Sequence, residues 1–275
     1  MRKRVGILFQ PKKQAARDLA QQMAGVLGDL NVTVWICSSW EEDKAREQTD
    51  GTELIICLGG DGTILRAARI ANPLAIPILG VNLGRVGFMT ELRAEDALNL
   101  VPAYVRDEGW VEERAMLQAE LVAEDASEFQ ALNDVVVGRG ERCRLIRVKA
   151  TVNGESVTTY KCDGVIVATA TGSTGYSLAA GGPVLHPLAE EIIMQPIAAH
   201  LSWGTALVLP SEAMVELEVS TTHKAMLSID GQVEVPLGDG DVVKVKRSPN
   251  VTRLLRAQSH TLFYETLTQK LANRD

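Results

Sequence analysis

The sequence predicts two domains, an α/β domain with a parallel sheet and then a mostly antiparallel β domain. Through about residue 100, strand-like runs alternate with helical patterns, and the strand runs are continuously apolar, as in buried parallel sheets. From about residue 113, short runs rich in β-branched residues follow one another, with tight-turn pairs between them. We therefore expect domains over 1–112 and 113–250, and a segment over 251–275 that packs back on the first domain.

The first half supplies four strands and three helices. The strands are predicted by the runs RVGILFQ, VTVWIC, ELIICL and IPILGVNLG. Apolar residues spaced by threes and fours predict a first helix that includes Ala16 to Leu27, and TILRAARIA predicts a second. A third is expected over Ala94 to Tyr104, where the apolar residues share one face.

Residue pairs typical of tight turns separate the predicted strands in the second half of the sequence. The pairs Asn153-Gly154, Asp230-Gly231 and Asp239-Gly240 predict tight turns between antiparallel strands. One helix is expected to interrupt them, from Pro187 to Ala199, because proline is favoured in the first turn of a helix. A last helix is expected from Thr261 to Leu271, where leucines recur at near-helical spacing.

Composition limits the function classes. The 275 residues are 46% hydrophobic and 23% charged, as in ordinary soluble proteins, and the net charge of -7 argues weakly against nucleic-acid binding. No apolar run approaches the roughly 20 residues of a membrane span, and the apolar run near the start is too short for a signal peptide. Neither the histidines nor the cysteines have metal-ligand spacing, so we expect a cytoplasmic chain with reduced thiols, without a membrane or nucleic-acid partner. The four cysteines are Cys37, Cys57, Cys143 and Cys162.

The stretch CLGGDGTILRAAR places three glycines around Asp61, between a strand and a helix. A helix N-terminus attracts anions, and glycines let a phosphate approach the backbone closely. Thr63 is expected to cap the helix. A carboxylate beside a phosphate is repelled unless it holds a metal or takes a proton from an attacking hydroxyl, and both roles belong to phosphoryl transfer. The alternative is a plain strand–helix turn in which Asp61 is a turn or capping residue.

A second stretch, DGVIVATATGSTGYSLAAGGP, runs from Asp163 to Pro183. An apolar strand leads into TGSTGYS, whose N–H and O–H groups could line a polar ligand site, and Tyr176 could stack on a flat ring. The alternative is a glycine-rich turn between strands.

Together these motifs resemble the NAD kinase family over nearly the whole chain. GGDGT (Gly59 to Thr63) is shared with other kinases, among them the diacylglycerol kinases. NLGRVGF (Asn82 to Phe88), the pair Asn133-Asp134 and the block that ends in GGP narrow the match. Three positions depart from the usual family pattern: Ala170, Gly175 and Ala179.

The resemblance implies a Rossmann-like first domain and a β-sandwich-like second domain that holds NAD. The implied reaction transfers a phosphoryl group to the 2′-hydroxyl of the adenosine ribose of NAD, giving NADP. The implied donor is ATP with a divalent metal, Mg²⁺, held through the donor phosphates, or polyphosphate in some members. The chain is expected to form a homodimer or homotetramer.

The resemblance also assigns site residues, position by position. Asp61 would be the catalytic base. The phosphate loop would comprise Gly59, Gly60, Gly62 and Thr63. The NAD-binding residues would be Asp61, Gly62, Arg66, Asn133, Asp134, Arg144, Lys161, Asp163, Thr174, Gly175, Tyr176, Ser177, Leu178, Ala179, Ala198 and Gln232. For the three cations in that set, solvated surface is the alternative.

The sequence motifs leave two alternative functions open. A lipid kinase of the diacylglycerol type shares the first motif but leaves TGSTGYS…GGP unexplained. A non-enzymatic NAD-binding regulator on the same scaffold predicts a damaged phosphoryl site, whereas Gly59 to Thr63 are intact.

Overall fold

The computed structural model describes residues 1–84, 87–122, 127–140, 144–200, 203–256 and 262–272. Arg85 and Val86 of the second glycine-rich motif, Cys143, His260 and Thr261 lie outside these ranges. The chain divides into two compact units. The first comprises Met1–Glu113 with Thr252–Asp275, and the second comprises Arg114–Val251.

The first unit is built on a parallel sheet, as the sequence predicts. Its strands are β1 (Arg4–Phe9), β2 (Thr33–Ser38), β3 (Leu54–Gly59), β4 (Ile78–Asn82) and β5 (Leu92–Arg93). They follow the order β2, β1, β3, β4, with β5 parallel to the end of β4. Its helices are α1 (Gln14–Asp29), α2 (Glu42–Arg46), α3 (Asp61–Ala71), α4 (Ala94–Val105) and α6 (Leu262–Ala272), with a 3-10 turn at Asn72–Leu74.

Burial explains the helices of this unit. The buried face of α1 consists of small and apolar residues spaced by threes and fours, from Ala16 to Leu27, and it packs on the buried centres of β1 and β3. α4 buries Val101 and Tyr104 in the same core. The predictions for α1, α3 and α4 are confirmed, as is the last helix, where the rings of Phe88 and Phe263 lie 6.1 Å apart.

The second unit contains two mostly antiparallel sheets. Its strands are β6 (Trp110–Val122) and β17 (Val242–Arg256), which both extend past the unit's limits, and β7 (Ser127–Ala131), β8 (Asp134–Arg139), β9 (Ile146–Val152), β10 (Glu155–Cys162), β11 (Gly164–Ala168), β12 (Ile192–Ile197), β13 (Leu207–Leu209), β14 (Val215–Ser220), β15 (Ala225–Ile229) and β16 (Val233–Leu237). One sheet has the order β10, β9, β14, β17, and the other has the order β13, β12, β11, β8, β15, β16. A 3-10 turn (Gly172–Thr174) and the short helix α5 (Tyr176–Ala179) follow β11.

The two sheets share one core, which makes this unit sandwich-like. Val137 and Val165 from one sheet and Val148 and Leu217 from the other are fully buried in the same cluster. The fold class that the sequence predicts is therefore confirmed. No described helix has the length and apolar character needed to cross a membrane.

The predicted helix from Pro187 to Ala199 is wrong. Ile192–Ile197 forms strand β12, which pairs antiparallel with β11 and β13. Five of its six residues are buried, so both faces of the strand are covered and the run shows no alternation of apolar and polar residues. Such a run does not separate a buried strand from a helix, and Pro196 would disrupt a helix interior.

Candidate active site

The glycine-rich turn after β3 leads directly into α3. The helix begins at Asp61, Gly60 occupies its N-cap position, and no side chain caps it. Thr63 is therefore not the cap that the sequence predicts; it lies in the first turn, is 3% exposed, and packs against Gly59, where a Cβ would lie 2.2 Å from its Oγ1. At Gly60 and Gly62, a Cβ would meet no atom of the described residues within 4 Å. These two glycines thus border open space, as close approach to the backbone requires.

The Asp61 carboxylate is held by backbone groups distant in sequence. Oδ2 accepts a hydrogen bond from the N–H of Phe88 (2.9 Å), and Oδ1 accepts one from the N–H of Met89 (3.1 Å). Gly87 makes this approach possible, because a Cβ there would lie 2.1 Å from Oδ1. Asp61 is therefore not a local capping residue, and its carboxylate is fixed at the positive end of a helix.

Arg66 lies one turn further along α3. It is half-buried, and its guanidinium carbon lies 6.0 Å from the ring centre of Trp40. The ammonium of Lys12 lies 4.9 Å from the centre of the same ring. Two cations therefore lie around one half-exposed aromatic ring near the start of α3.

In the second unit, Asp230 fixes the backbone at Asn133-Asp134. Its carboxylate accepts hydrogen bonds from the N–H groups of Leu132 (2.9 Å), Asn133 (2.7 Å) and Asp134 (3.0 Å). Burial, and to a smaller extent the charge of Asp230, raise the pKa of Asp134 to about 7. Asn133 Oδ1 is buried and accepts no hydrogen bond from any described residue, so it has unused capacity for a ligand donor.

The glycine-rich segment after β11 packs on the same backbone. The Thr169 hydroxyl donates to Leu132 O (2.7 Å) and accepts from the N–H of Gly172 (3.0 Å). A Cβ on Gly172 would lie 2.0 Å from Asn133 O, so only glycine allows the two segments to touch. The Ser173 hydroxyl donates to Ala170 O (2.6 Å). The segment is therefore anchored by its hydroxyls as well as bent by its glycines.

The residues that follow divide into exposed and buried ones. Gly175, Tyr176 and Ala179 are exposed, and the Tyr176 ring is 48% exposed at the start of α5. Thr174 and Leu178 are half-buried. Ser177 is fully buried, and its Oγ would lie 2.4 Å from a Cβ on Gly182. Tyr176 thus presents its ring to an incoming group, whereas the Ser177 side chain points into the protein.

Comparison with known proteins identifies the family to which both units of the chain are similar. The family model described as the ATP-NAD kinase N-terminal domain matches residues 5–109, and the C-terminal domain model matches residues 132–257. The chain is 46% identical to the NAD kinase of Dehalococcoides mccartyi strain CBDB1, over 98% of this chain and 96% of that protein. It is 38% identical to the NAD kinase of Chloroflexus aurantiacus, over 98% and 99% respectively.

The chain belongs to the NAD kinase family. It is accordingly a phosphotransferase, and the reaction of the family is the phosphorylation of NAD to NADP. An NAD kinase from Archaeoglobus fulgidus, solved in complex with ATP, has a TM-score of 0.76 and 30% identity, and the match covers 96% of this chain and 99% of that one. Yeast NADH kinase, solved with NADH, shares the fold, with a TM-score of 0.84 at 24% identity over 99% of this chain and 88% of that one.

Membership of the NAD kinase family resolves the rival functions. The C-terminal family model spans TGSTGYS…GGP, the block that a lipid kinase of the diacylglycerol type leaves unexplained. The N-terminal model spans GGDGT. The lipid-kinase and regulator alternatives are therefore set aside.

Other predicted NAD-kinase site residues form a separate group in the second unit. Lys161 is exposed, and its carbonyl accepts from the N–H of His200 (2.7 Å). Asp163 forms an ion pair with Arg139 (2.9 Å). Ala198 has a left-handed backbone, with φ of 47°, beside Ile197, whose carbonyl accepts from the N–H of Asp163 (3.0 Å). This group lies at the start of β11, and the Thr169–Tyr176 segment follows its end.

Two further predicted residues complete the set. Arg144 Nη1 lies 3.0 Å from His223 Nε2 on the exposed surface. Gln232 is half-buried in the turn between β15 and β16, and its N–H donates to Ile229 O (2.9 Å). Gln232 thus lies two residues from Asp230 and belongs with the Asn133 group, whereas Arg144 pairs with a histidine.

Several residues that hold these candidate site residues in place are not predicted from the sequence. The sequence indicates Asp230 only as a turn residue, and the Asp230-Gly231 turn does exist, with φ of 53° and 62°. Its three backbone contacts are tertiary, and local spacing does not reveal them. Arg139, the ion-pair partner of Asp163, was also missed, as were the N–H groups of Phe88 and Met89. A charged residue at the end of an apolar strand, as Arg139 is, was the available signal.

Proposed function

We propose that the chain transfers the γ-phosphoryl group of ATP to the 2′-hydroxyl of the adenosine ribose of NAD, with Asp61 as the general base. The observation that carries this proposal is the Asp61 carboxylate, fixed by the N–H groups of Phe88 and Met89 at the start of α3. A fixed carboxylate of this kind suits proton abstraction, because positioning supplies much of the rate.

The proposed phosphoryl transfer requires one general base, Asp61, and one phosphoryl donor, ATP. The 2′-hydroxyl gives its proton to Asp61 while its oxygen forms a bond to the γ-phosphorus. The bond from that phosphorus to the bridging oxygen breaks, and ADP leaves with the electron pair. The open space at Gly60 and Gly62 supports donor phosphates against this backbone, where the start of α3 favours negative charge.

NAD recognition is proposed for the residues that the resemblance assigns. The buried acceptor Asn133 Oδ1 suits a donor such as an amino or hydroxyl group of the adenosine half. The half-exposed ring of Tyr176 suits stacking on adenine. Asp134, with a pKa raised to about 7, can accept or donate a hydrogen bond near neutral pH. For Ser177, burial of the side chain leaves its backbone as the contact we propose.

A divalent metal, Mg²⁺, is proposed to arrive with the donor. The phosphate loop offers one carboxylate, Asp61, among glycines, which is too few ligands for an all-protein magnesium site. Mg²⁺ typically takes one or two carboxylates and completes its shell with phosphate oxygens and water, so these residues fit a metal carried by ATP. Such a metal would neutralise charge on the donor phosphates.

The test is a coupled assay. Purified protein is mixed with NAD, Mg²⁺ and ATP, and NADP is detected with an NADP-specific dehydrogenase; polyphosphate replaces ATP in a parallel run. Asp61→Asn should lower turnover by about 10²–10⁴-fold, the usual contribution of a positioned base, while NAD still binds. Asp29→Asn, at an exposed position at the end of α1, is the matched control. An Asp61→Asn variant with wild-type turnover would remove Asp61 from the role of base.

Self-association, as a homodimer or homotetramer, is also proposed. Asp163 and Thr169 are six positions apart at the two ends of strand β11, which is roughly 20 Å at the rise of a β-strand. This separation supports a role for Lys161, Asp163 and Ala198 on the NAD of a neighbouring copy. Mixing Asp61→Asn with Asp163→Asn protein tests it, because mixed oligomers would regain active sites. Light scattering that gives a monomer, with no activity regained, would contradict the proposal.

The cytoplasm is the proposed location. Cys37, Cys57 and Cys162 are free and buried, and burial raises the pKa of each thiol. Free, unreactive thiols suit a reducing compartment, which is also where ATP and NAD are abundant. Fractionation of cells that express the chain, followed by immunodetection, checks this location.

A further inference from the structure

A buried arginine lies behind the backbone segment that holds Asp61. Arg256, the last residue of β17, has a side chain that is 8% exposed. Its guanidinium donates to three successive carbonyls: Phe88 O (3.5 Å), Met89 O (3.2 Å) and Thr90 O (3.4 Å). One side chain thus fixes three consecutive peptide groups.

Two buried carboxylates hold this guanidinium in place. Arg256 Nη1 lies 3.2 Å from Glu91 Oε2, and Nη2 lies 3.1 Å from Glu112 Oε1. Nε also donates to Glu112 Oε1 (3.3 Å). The two glutamate side chains are 6% and 8% exposed, so loss of the guanidinium would leave two buried carboxylates without this cation.

The same segment faces Asp61 with its N–H groups. The peptide group between Phe88 and Met89 shows this most directly, because its carbonyl accepts from Arg256 and its N–H donates to Asp61 Oδ1. A peptide group between a cation and an anion is polarised in the direction that strengthens both hydrogen bonds. The segment therefore couples the orientation of the carboxylate to the position of the guanidinium.

We propose that Arg256 is a positioning residue for Asp61, acting through the backbone of residues 87–91. This inference rests on the proposed role of Asp61 as the base. The guanidinium sets the orientation of the peptide groups at 88–90, and these peptide groups set the orientation of the carboxylate. Loss of the guanidinium rotates the peptide groups and misdirects the N–H donors, so proton abstraction slows while NAD binding persists.

The first test compares Arg256→Lys with Arg253→Lys. An ammonium keeps the charge but cannot span three carbonyls and two carboxylates as a planar guanidinium does. Because a misplacement of about 1 Å can cost 10²-fold in rate, Arg256→Lys should lower kcat by roughly 10- to 100-fold, with KM for NAD within about 2-fold. Arg253, three residues earlier on β17, pairs with Glu113 (3.2 Å) and donates to Ala75 O (3.3 Å) instead of to the carbonyls of residues 88–90, so its variant should keep wild-type kcat.

Hydrogen exchange supplies a direct structural readout. The amides of Phe88 and Met89 should exchange faster in Arg256→Lys, with the strands of the first sheet unchanged. If Arg256→Lys does not fold, the triple variant Glu91→Gln, Glu112→Gln, Arg256→Gln replaces it, because it removes the buried cation and both of its buried carboxylate partners together. That variant should fold and lose kcat by a similar factor. A variant with lowered thermal stability but full kcat below its unfolding temperature would overturn the proposal.

A double variant separates this proposal from the role of Asp61. In an Asp61→Asn background, Arg256→Lys should change the residual kcat by less than about 2-fold, because residues that act in series are not additive. If Arg256→Lys lowers kcat by the same factor in the wild-type and Asp61→Asn backgrounds, Arg256 acts independently of Asp61 and the proposal is overturned. Wild-type kcat in Asp61→Asn alone would instead refute the base assignment.

Discussion

Gly87 and Asp61 are in such close contact that a side chain at position 87 would displace the Asp61 carboxylate. A Cβ there would lie 2.1 Å from Asp61 Oδ1 and 2.8 Å from its carboxyl carbon. Both residues belong to the first unit, and the N–H groups next to Gly87 hold the same carboxylate. The second glycine-rich motif of the sequence thus acts on the aspartate of the first.

Replacing Gly87 should therefore impair catalysis. Gly87→Ala pushes the carboxylate off its N–H donors, and we expect kcat to fall by roughly 10- to 100-fold. Gly84→Ala is the matched control in the same loop, since its Cβ would lie at an ordinary 3.5 Å from Lys13 Nζ. Steady-state rates and circular dichroism of both variants check this expectation, and equal rates would contradict it.

Gly172 should be equally intolerant of a side chain, with stability as the readout. Its Cβ would lie 2.0 Å from Asn133 O, which accepts a hydrogen bond from the Thr169 hydroxyl, while the N–H of Asn133 donates to Asp230. Overpacking typically costs about 1–3 kcal/mol, and we expect Gly172→Ala to lower the free energy of unfolding by at least that much. Urea unfolding measures the change.

Gly204→Ala is the control for that measurement. Gly204 is exposed, its φ is not in the left-handed range, and its Cβ would lie at an ordinary 3.8 Å from Ala199 Cβ. We expect its unfolding free energy to stay within about 0.5 kcal/mol of the wild type. If both alanine variants lose the same free energy of unfolding, the close contact at Gly172 is not the cause of the loss.

The sequence predicts an element of the fold when neighbouring residues alone determine that element. The Asn153-Gly154 turn was predictable because both residues need positive φ, and both have it, at 51° and 83°. The first parallel strands were predictable from their continuous apolar runs. The strand β12 was not, because a run buried on both faces fits either period and only its pairing with β11 decides.

The candidate site, too, contains residues that a local sequence pattern predicts and residues that it does not. Asp61 could be found from GGDGT because its signal is local: a carboxylate lies among glycines where an apolar strand ends and a helix begins. Asp230 and Arg256 could not, because their partners lie about 100 or more positions away in sequence. Partners of long-range hydrogen bonds follow no regular spacing in the sequence, so they are identified only once the pairing of the strands that carry them is known.

The pKa of Asp134 leads to a prediction about stability and pH. Asp134 is 6% exposed; burial and the charge of Asp230 raise its pKa to about 7, whereas an unfolded aspartate titrates near 3.9, roughly. Between these values the folded chain binds more protons than the unfolded chain. The contribution of Asp134 to the free energy of unfolding therefore falls as pH rises through this window, and it levels off above it.

Asp134→Asn should remove this dependence, because an amide does not titrate. Relative to the wild type, its free energy of unfolding should rise by about 2–3 kcal/mol between about pH 5 and about pH 8, at roughly 1.4 kcal/mol per pKa unit. Urea unfolding at both pH values measures this, with Asp29→Asn as an exposed control. Parallel curves for wild type and Asp134→Asn would contradict the raised pKa. Asp230→Asn should shrink the same pH dependence only in part, because burial, the larger cause, stays in place.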